Sequence, residues 1–162
     1  MTPKEKTVLV VRDARNGRGV FARRAIAAGE TILTVRGALI TCYEDDDLDE
    51  TTRSNTYRYD DEQYLSPAGT VGELVNHSCQ PNAKIEKRGS KLMIVARSPI
   101  QKGAEVCFDY STILARDDSW TMQCNCGESV CRKKIRGFHL LPKPIREQYL
   151  SEHMVPAHIL NN

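Results

Sequence analysis

The chain has 162 residues, which is enough for one domain with a hydrophobic core. Its 23 lysines and arginines nearly balance 21 aspartates and glutamates, so the net charge of +2 gives no basic field of the kind that nucleic-acid binders carry. Apolar runs are about five residues long, far short of the roughly 20 that a membrane span needs, and the N-terminus lacks the apolar segment of a signal peptide. We therefore expect a soluble, intracellular protein that binds neither nucleic acid directly nor a membrane.

The first part of the chain predicts short β-strands joined by turns. Apolar stretches alternate with glycine-containing turns such as "NGRG" at 16–19, a pattern typical of hairpins. The polar, acidic stretch 43–55 has no period and predicts a loop or a short solvated helix. The predicted strands of this part are 7–11, 19–22, 31–35, 38–40 and one that includes Tyr57 and Tyr59.

The middle of the chain is also predicted to be β-structure, and the end helical. Residues 82–98 predict two strands around the turn "KRGS", and 100–111 predict a further turn and strand. After Tyr110 the pattern loses its period. Near the C-terminus, Ile145 and Tyr149 lie at helical spacing after two prolines, so a short terminal helix is predicted.

A group of cysteines predicts a metal site. Cys124, Cys126 and Cys131 form a CxCxxxxC triplet, in which Gly127 allows a tight turn. Structural zinc needs four tetrahedral ligands, usually thiolate or imidazole. In a chain without an export signal, this spacing favours a metal site over disulfides or unrelated thiols. The candidates for a distant fourth ligand are Cys42, Cys79, Cys107, His77 and His139.

Four stretches occur in an order that is highly specific as a set: "GRGVFA", "VNHSCQPNA", "EVCFDY" and "CNCGESVC". They resemble the GxG, NHSCxPN, ExxFDY and post-SET cysteine motifs of the SET-domain protein lysine methyltransferases, over roughly residues 8–137. The resemblance implies a mainly β fold of small sheets with short helices, in which the NHSC and FDY segments cross in a knot-like arrangement. It also implies a SET domain at 1–115, a post-SET zinc segment at 116–137 and a helical tail at 138–162.

The same resemblance implies two bound groups, the methyl donor S-adenosylmethionine and a structural zinc ion. In the family the NHSC cysteine supplies the fourth thiolate. The zinc ligands would then be Cys79, Cys124, Cys126 and Cys131. The donor would contact Gly17, Arg18 and Gly19 at its methionine end, Asn76 and His77 at its amino and adenine groups, and Tyr57.

The implied reaction is in-line methyl transfer to the amine of a lysine on a protein substrate. A free lysine has a pKa near ~10.4, and burial in a narrow channel lowers that value and favours the uncharged amine. Tyr110 is the predicted catalytic residue, because its hydroxyl can orient the amine. Phe108 lies where the resemblance implies a size switch, which predicts di- or trimethylation. Asp109 is expected to make a structural hydrogen bond, and Glu105 to be an edge residue.

One departure from the family pattern leaves a second hypothesis open. Val35 stands where the family usually has a YxG tyrosine, and Tyr59 or Tyr64 could supply the absent hydroxyl. The alternative is a catalytically weak or inactive SET-fold binding module that retains donor and zinc binding.

The expected partner and location also follow from the resemblance. The partner is a lysine-containing protein, such as a histone tail or a ribosomal protein, and the chain is expected to be a monomer or homodimer. The location would be cytoplasmic in a prokaryote, and nuclear or chromatin-associated in a eukaryote.

Overall fold

The computed structural model describes residues 1, 3–41, 44 and 47–161. Its described strands form four small antiparallel sheets, and its described helices are short, so the predicted mainly β fold class is confirmed. In this part of the chain, no helix has the length and apolar character needed to cross a membrane.

The described helices and strands follow one another along the chain, with 3₁₀ turns between some of them. In order they are α1 (Pro3–Val8), β1 (Leu9–Ala14), β2 (Gly17–Ala22), β3 (Thr31–Thr34), β4 (Ala38–Thr41), α2 (Glu50–Arg53), β5 (Tyr57–Arg58), β6 (Gln63–Ser66), a 3₁₀ turn (Val71–Leu74), β7 (Ala83–Arg88), β8 (Lys91–Ala96), a 3₁₀ turn (Tyr110–Ile113), β9 (Met122–Gln123), β10 (Lys134–Ile135), a 3₁₀ turn (Phe138–Leu140), α3 (Lys143–Ser151) and α4 (Ala157–Leu160).

The sheets are built mostly from strands that are neighbours in sequence. β1 and β2 form a hairpin whose register pairs Leu9 with Ala22 and Ala14 with Gly17. β8 lies between β3 and β7, while β6 lies between β4 and β5. β9 and β10 form a two-stranded ladder on either side of the cysteine triplet. The β7–β8 pair predicted around "KRGS" is present.

Two predicted strands differ from the structure at their ends. The strand expected at 7–11 begins only at Leu9, because Thr7 and Val8 complete α1. Val8 is buried in the same core as Leu9, so an apolar run alone does not separate a helix end from a strand. The strand expected to include Tyr57 and Tyr59 is instead the hairpin β5–β6. Its turn is stabilised by Asp60, whose carboxylate accepts a hydrogen bond from the backbone N–H of Gln63 at 2.9 Å.

The NHSC and FDY segments lie side by side in the centre of the fold. His77 and Phe108 form a parallel bridge. The backbone N–H of Ser78 donates to the carbonyl of Phe108 at 3.1 Å, and that of Phe108 donates to the carbonyl of Asn76 at 3.2 Å. The segment predicted as a strand after residue 100 is therefore joined to its neighbours by isolated bridges. The knot-like threading stays a prediction.

The predicted terminal helix is present as α3. Its buried side belongs to a second hydrophobic cluster, separate from the β-sheet core and made of Ala115, Phe138, Leu141, Tyr149, Met154 and Ile159. Arg97 pairs with Glu152 at 2.6 Å just after α3. The division of the chain at 115 and 137 stays a prediction, since this second cluster includes Ala115 as well as residues of the tail.

Candidate active site and metal cluster

The GxG turn and the NHSC segment meet at Asn76. Its side-chain amide donates to the carbonyl of Arg18 at 3.1 Å and to the carboxylate of Glu105 at 2.7 Å. A β-carbon at Gly19 would lie 2.3 Å from Glu105 Oε1 and 3.0 Å from Asn76 Nδ2. A β-carbon would also lie 2.9 Å from Ala14 Cβ, so glycine at this position lets the two motifs pack closely into one surface. Glu105 was expected to be an edge residue, but its carboxylate accepts the hydrogen bond that holds the Asn76 side chain in place. In the sequence, only its position in the ExxFDY motif could have indicated this role.

Three aromatic side chains lie together beside this surface, and we call Tyr57, Phe108 and Tyr110 the aromatic cluster. The ring centroids of Tyr57 and Phe108 are 5.5 Å apart, and those of Phe108 and Tyr110 are 4.9 Å apart. Trp120 extends the cluster at 6.5 Å from Tyr110. Sequence reasoning gave Trp120 no role, because it lies in a stretch without periodicity.

Both tyrosine hydroxyls of the aromatic cluster donate to backbone carbonyls. Tyr110 donates to the carbonyl of Val75 at 2.8 Å, and Tyr57 donates to that of Gly72 at 2.8 Å. Burial raises the pKa of both phenols above their ordinary value, so both stay protonated at neutral pH. Each oxygen keeps lone pairs that can accept a hydrogen bond from an amine.

Two cavities meet at Tyr110. The larger, of about 190 Å³, is bounded by Tyr110, Trp120 and Asp117 among others. The smaller, of about 10 Å³, has room for a single water-sized group and is bounded by the aromatic cluster together with Glu73. Tyr110 and Ile113 line both cavities. A side chain that enters the larger cavity can therefore contact Tyr110.

Arg58 fixes one wall of the larger cavity. Its side chain is 1% exposed and pairs with Asp117 at 3.0 Å and Asp118 at 3.1 Å. Tyr64 completes this group through hydrogen bonds to Arg58 and Asp118. The positive charge of Arg58 is thus matched by two carboxylates, of which Asp118 is buried and Asp117 is exposed.

The two tyrosines considered as substitutes for the absent YxG hydroxyl lie outside the aromatic cluster. Tyr59 donates to the carbonyl of Ser90 at 3.0 Å and stacks under Lys87. Tyr64 lines the larger cavity but bonds to Asp118. Val35 itself is buried beside Gly72. Tyr57 is thus the tyrosine that contacts Val35's neighbour Gly72: its hydroxyl bonds to Gly72, and its ring stacks on Phe108.

The cysteine triplet lies against the NHSC segment, as expected for a metal site. Cys124 Sγ is 3.7 Å from Cys79 Sγ and 3.6 Å from Cys131 Sγ. A tetrahedron of thiolates with zinc–sulfur bonds of roughly 2.3 Å has edges of about 3.8 Å. Ligand atoms of His77, Cys79, Cys124 and Cys126 also lie within 4.8 Å of one another. The donor atoms therefore have the softness and the spacing to hold a metal ion such as zinc.

His77 has the geometry of a hydrogen-bond donor to this cluster rather than of a ligand. Its Nδ1 accepts from the backbone N–H of Tyr110 at 3.1 Å. Burial lowers the pKa of His77 to about 4, so the ring is neutral at neutral pH and carries its one proton on Nε2. Nε2 lies 3.3 Å from Cys79 Sγ and donates to it.

Backbone groups also face the sulfur atoms. The N–H of Arg132 donates to Cys79 Sγ and that of Lys133 to Cys131 Sγ, each at 3.4 Å. The Lys133 N–H lowers the pKa of the Cys131 thiol to about 7. Such bonds stabilise thiolates around a metal. Cys107 and His139 are absent from the group of His77, Cys79, Cys124 and Cys126, and so is the predicted ligand Cys131, although its Sγ lies 3.6 Å from Cys124 Sγ. Cys42 lies outside the described residues.

The cysteine segment also contacts the turn that precedes the GxG motif. Gly127 has a φ of +83°, and a β-carbon there would lie 2.6 Å from Arg15 Nε. Asn16 donates to the carbonyl of Asn125 at 3.4 Å. Ser78 donates to Glu128 at 3.2 Å from the other side. The metal cluster and the GxG turn are therefore parts of one packed unit.

Comparison with known proteins gives the same picture as the motifs. The SET domain profile matches residues 17–111. Human histone-lysine N-methyltransferase 2B is 33% identical over 143 residues, which cover 82% of this chain and 5% of the human protein. An H3 lysine-4 specific histone-lysine N-methyltransferase of Cryptococcus neoformans is 31% identical over 141 residues, or 80% of this chain and 10% of that protein.

A third relative is named for a different lysine of histone H3. It is an H3 lysine-36 specific histone-lysine N-methyltransferase of Yarrowia lipolytica, 30% identical over 140 residues, which cover 79% of this chain and 18% of that protein. The chain thus spans less than a fifth of the length of each of these three relatives.

Proposed function

Because the chain belongs to the SET-domain family, we propose that it is a protein-lysine N-methyltransferase that uses S-adenosylmethionine as methyl donor. One observation carries the proposal. Tyr110 lines two neighbouring cavities, and its hydroxyl bonds to the carbonyl of Val75, the residue directly before Asn76, whose side chain meets the GxG turn. This arrangement lets a lysine side chain and a methyl donor approach each other from different sides.

The donor site is proposed on that surface. Gly17, Arg18 and Gly19 would receive its methionine end, with Asn76 and His77 at its amino and adenine groups. The His77 ring is turned toward Cys79, so its contribution would come from the backbone. Tyr57 would meet the donor near the smaller cavity. When bound, the donor supplies a methyl group on a sulfonium, which is open to in-line attack.

Residues of this chain would lower the pKa of the substrate lysine and orient its amine. The aromatic cluster removes water from around the ammonium, which lowers its pKa and favours the uncharged nucleophile. The hydroxyl oxygen of Tyr110, already oriented by Val75, accepts a hydrogen bond from the amine and fixes its direction. Such alignment can lower a barrier by about 7 kcal/mol or more. No general base is assigned, because the neutral amine needs none.

The metal cluster is proposed to hold one structural zinc ion. Its ligands would be Cys79, Cys124, Cys126 and Cys131, with His77 and two backbone N–H groups as hydrogen-bond donors to the sulfurs. Zinc here would fix residues 124–131 against the GxG turn.

The substrate is proposed to be a histone or another basic protein, di- or trimethylated at lysine. The relatives' names include both lysine 4 and lysine 36 of histone H3, so they support the class of substrate and not one position. In a eukaryotic cell the protein would act in the nucleus. The second candidate is an inactive binding module, for which Val35 in place of a channel tyrosine is the supporting observation.

A transfer experiment separates these two functions. Purified protein is incubated with methyl-labelled S-adenosylmethionine and with core histones, ribosomal proteins or a lysine-peptide array, and modified residues are located by mass spectrometry. We expect label on lysine ε-amines of at least one basic substrate. Calorimetric donor binding without transfer to any of these substrates would favour the binding module.

A further inference from the structure

Asp109, directly before Tyr110, carries a carboxylate with 0% exposure. Oδ1 accepts from the backbone N–H of Ser111 at 3.0 Å, and thereby caps the 3₁₀ turn that begins at Tyr110. Arg132 Nη2 lies 2.8 Å from Oδ1 and 2.7 Å from Oδ2. The hydroxyl of Tyr149 donates to Oδ2 at 2.9 Å. The structural hydrogen bonding expected of Asp109 is therefore present.

The donors to Asp109 come from three different parts of the chain. Ser111 belongs to the same turn, Arg132 to the cysteine segment and Tyr149 to α3. Arg132 and Tyr149 both lie beyond the SET domain match at 17–111. The guanidinium of Arg132 is a cation and balances the charge of the carboxylate. Its side chain is only 10% exposed, so this ion pair is buried. Tyr149 adds a neutral hydrogen bond from a helix that no SET motif includes.

Several contacts fix the position of Tyr149. Its ring is 3% exposed and packs against Leu141 and Met154. The guanidinium of Arg97 lies 5.8 Å from the ring centroid and also pairs with Glu152, just after α3, at 2.6 Å. Burial raises the pKa of the Tyr149 phenol above its ordinary value, so the group remains a hydrogen-bond donor.

We infer that Tyr149 is a positioning residue that holds Tyr110 in place through Asp109, and that α3 is part of the catalytic unit. A carboxylate has about four acceptor positions, and here Ser111, Arg132 and Tyr149 use both oxygens. Without the Tyr149 hydroxyl, Asp109 can rotate toward Arg132 and away from the Ser111 N–H. The turn that carries Tyr110 then loses its cap, while Arg132 keeps the charge balanced.

The expected change in kcat rests on the proposed methyl transfer. The expected change in the turn at Tyr110 rests only on the hydrogen bond between Tyr149 and Asp109. Tyr149→Phe keeps the packed ring and removes only the hydroxyl. Tyr59→Phe is the matched control, because the Tyr59 hydroxyl bonds to Ser90 away from the aromatic cluster. Both variants are compared with the wild-type chain, loaded with zinc.

Two measurements test it. In methyl-transfer kinetics at a temperature where every variant is fully folded, we expect Tyr149→Phe to lower kcat on the order of tenfold, with KM for S-adenosylmethionine within about twofold of wild type. In amide hydrogen exchange by NMR, the N–H groups of Tyr110 and Ser111 should exchange faster in Tyr149→Phe. Tyr59→Phe should match wild type in both measurements.

The possible outcomes are distinct. An unchanged kcat in Tyr149→Phe, or a lower thermal stability alone, would show that α3 contributes only to the stability of the fold and would overturn the inference. If the wild-type chain transfers no methyl group, the proposed function fails, and the exchange measurement still decides the structural claim. Unchanged exchange at Tyr110 and Ser111 would then contradict it.

Discussion

Individual side chains at the site combine features that the sequence predicts with others that only the packing reveals. Phe108 was recognisable from its motif, and the structure shows it 1% exposed between Tyr57 and Tyr110. Glu105 was signalled only by its position in the ExxFDY motif, and its partner Asn76 lies 29 positions away. Trp120 had no signal, because it lies in a stretch without periodicity. A residue's role at this site therefore depends on contacts that no local pattern encodes.

The size of residue 108 provides a test at the residue scale. Phe108→Tyr adds a hydroxyl between two rings whose centroids lie 5.5 and 4.9 Å away, and so narrows the space left for a methylated amine. We expect the wild-type chain to produce di- or trimethyl-lysine and the variant to stop at monomethyl-lysine. Intact-mass analysis of one peptide substrate over time measures this. Equal product distributions would show that Phe108 does not limit methyl number.

At the scale of elements, the cysteine segment was predictable in part. The spacing of Cys124, Cys126 and Cys131 indicated a metal site, but it left five candidates for the fourth ligand, and only the family resemblance selected Cys79. The structure brings Cys79 to 3.7 Å from Cys124 across 45 positions of sequence. Strand ends were less predictable, as at β1 and β5; at β1 the helix end Val8 and the strand start Leu9 are both buried in the core.

The metal cluster can be tested with two matched cysteine variants. Cys79→Ser removes a proposed ligand, so bound zinc should fall well below one ion per chain, as measured by atomic emission after dialysis. Calorimetry should also show weaker binding of S-adenosylmethionine, because residues 125–127 would lose their contact with the GxG hairpin.

Cys107→Ser is the control for this experiment, since Cys107 belongs neither to the described metal-binding group nor to the proposed ligand set. It should keep both zinc and donor affinity. Full zinc content in Cys79→Ser would exclude the proposed ligand set. Lost zinc with unchanged donor affinity would show that the metal cluster and the donor site are independent.

The buried ion pair of Arg58 with Asp118 gives a second prediction at this scale. Arg58→Met leaves Asp118, which is 5% exposed, without its cationic partner. Breaking a buried pair costs about 3 kcal/mol, so we expect the free energy of unfolding to fall by that amount in urea titrations. Arg88→Met is the control, because the Arg88–Glu86 pair is exposed and should contribute less than about 1 kcal/mol. Equal effects of the two variants would contradict this account.

At the scale of the whole molecule, the site forms from segments that are distant in sequence. The NHSC segment, the FDY segment, the cysteine segment and α3 meet around Tyr110 and Asp109. The hairpin turn joins them through Asn76. The order of the motifs made most of this assembly predictable. The helical spacing predicted α3 as well, but its hydrogen bond to Asp109 depends on tertiary packing, and no periodicity could indicate it.

The most direct test of the central claim, that Tyr110 directs methyl transfer to lysine, is a single-turnover experiment. Enzyme in excess over methyl-labelled S-adenosylmethionine is mixed with a peptide substrate, and label on lysine is followed over time. We predict stoichiometric transfer by the wild-type chain, and a rate on the order of 100-fold lower for Tyr110→Phe, which keeps the ring and loses the hydroxyl. Label that remains in the donor, or equal rates for Tyr110→Phe and wild type, would contradict the account.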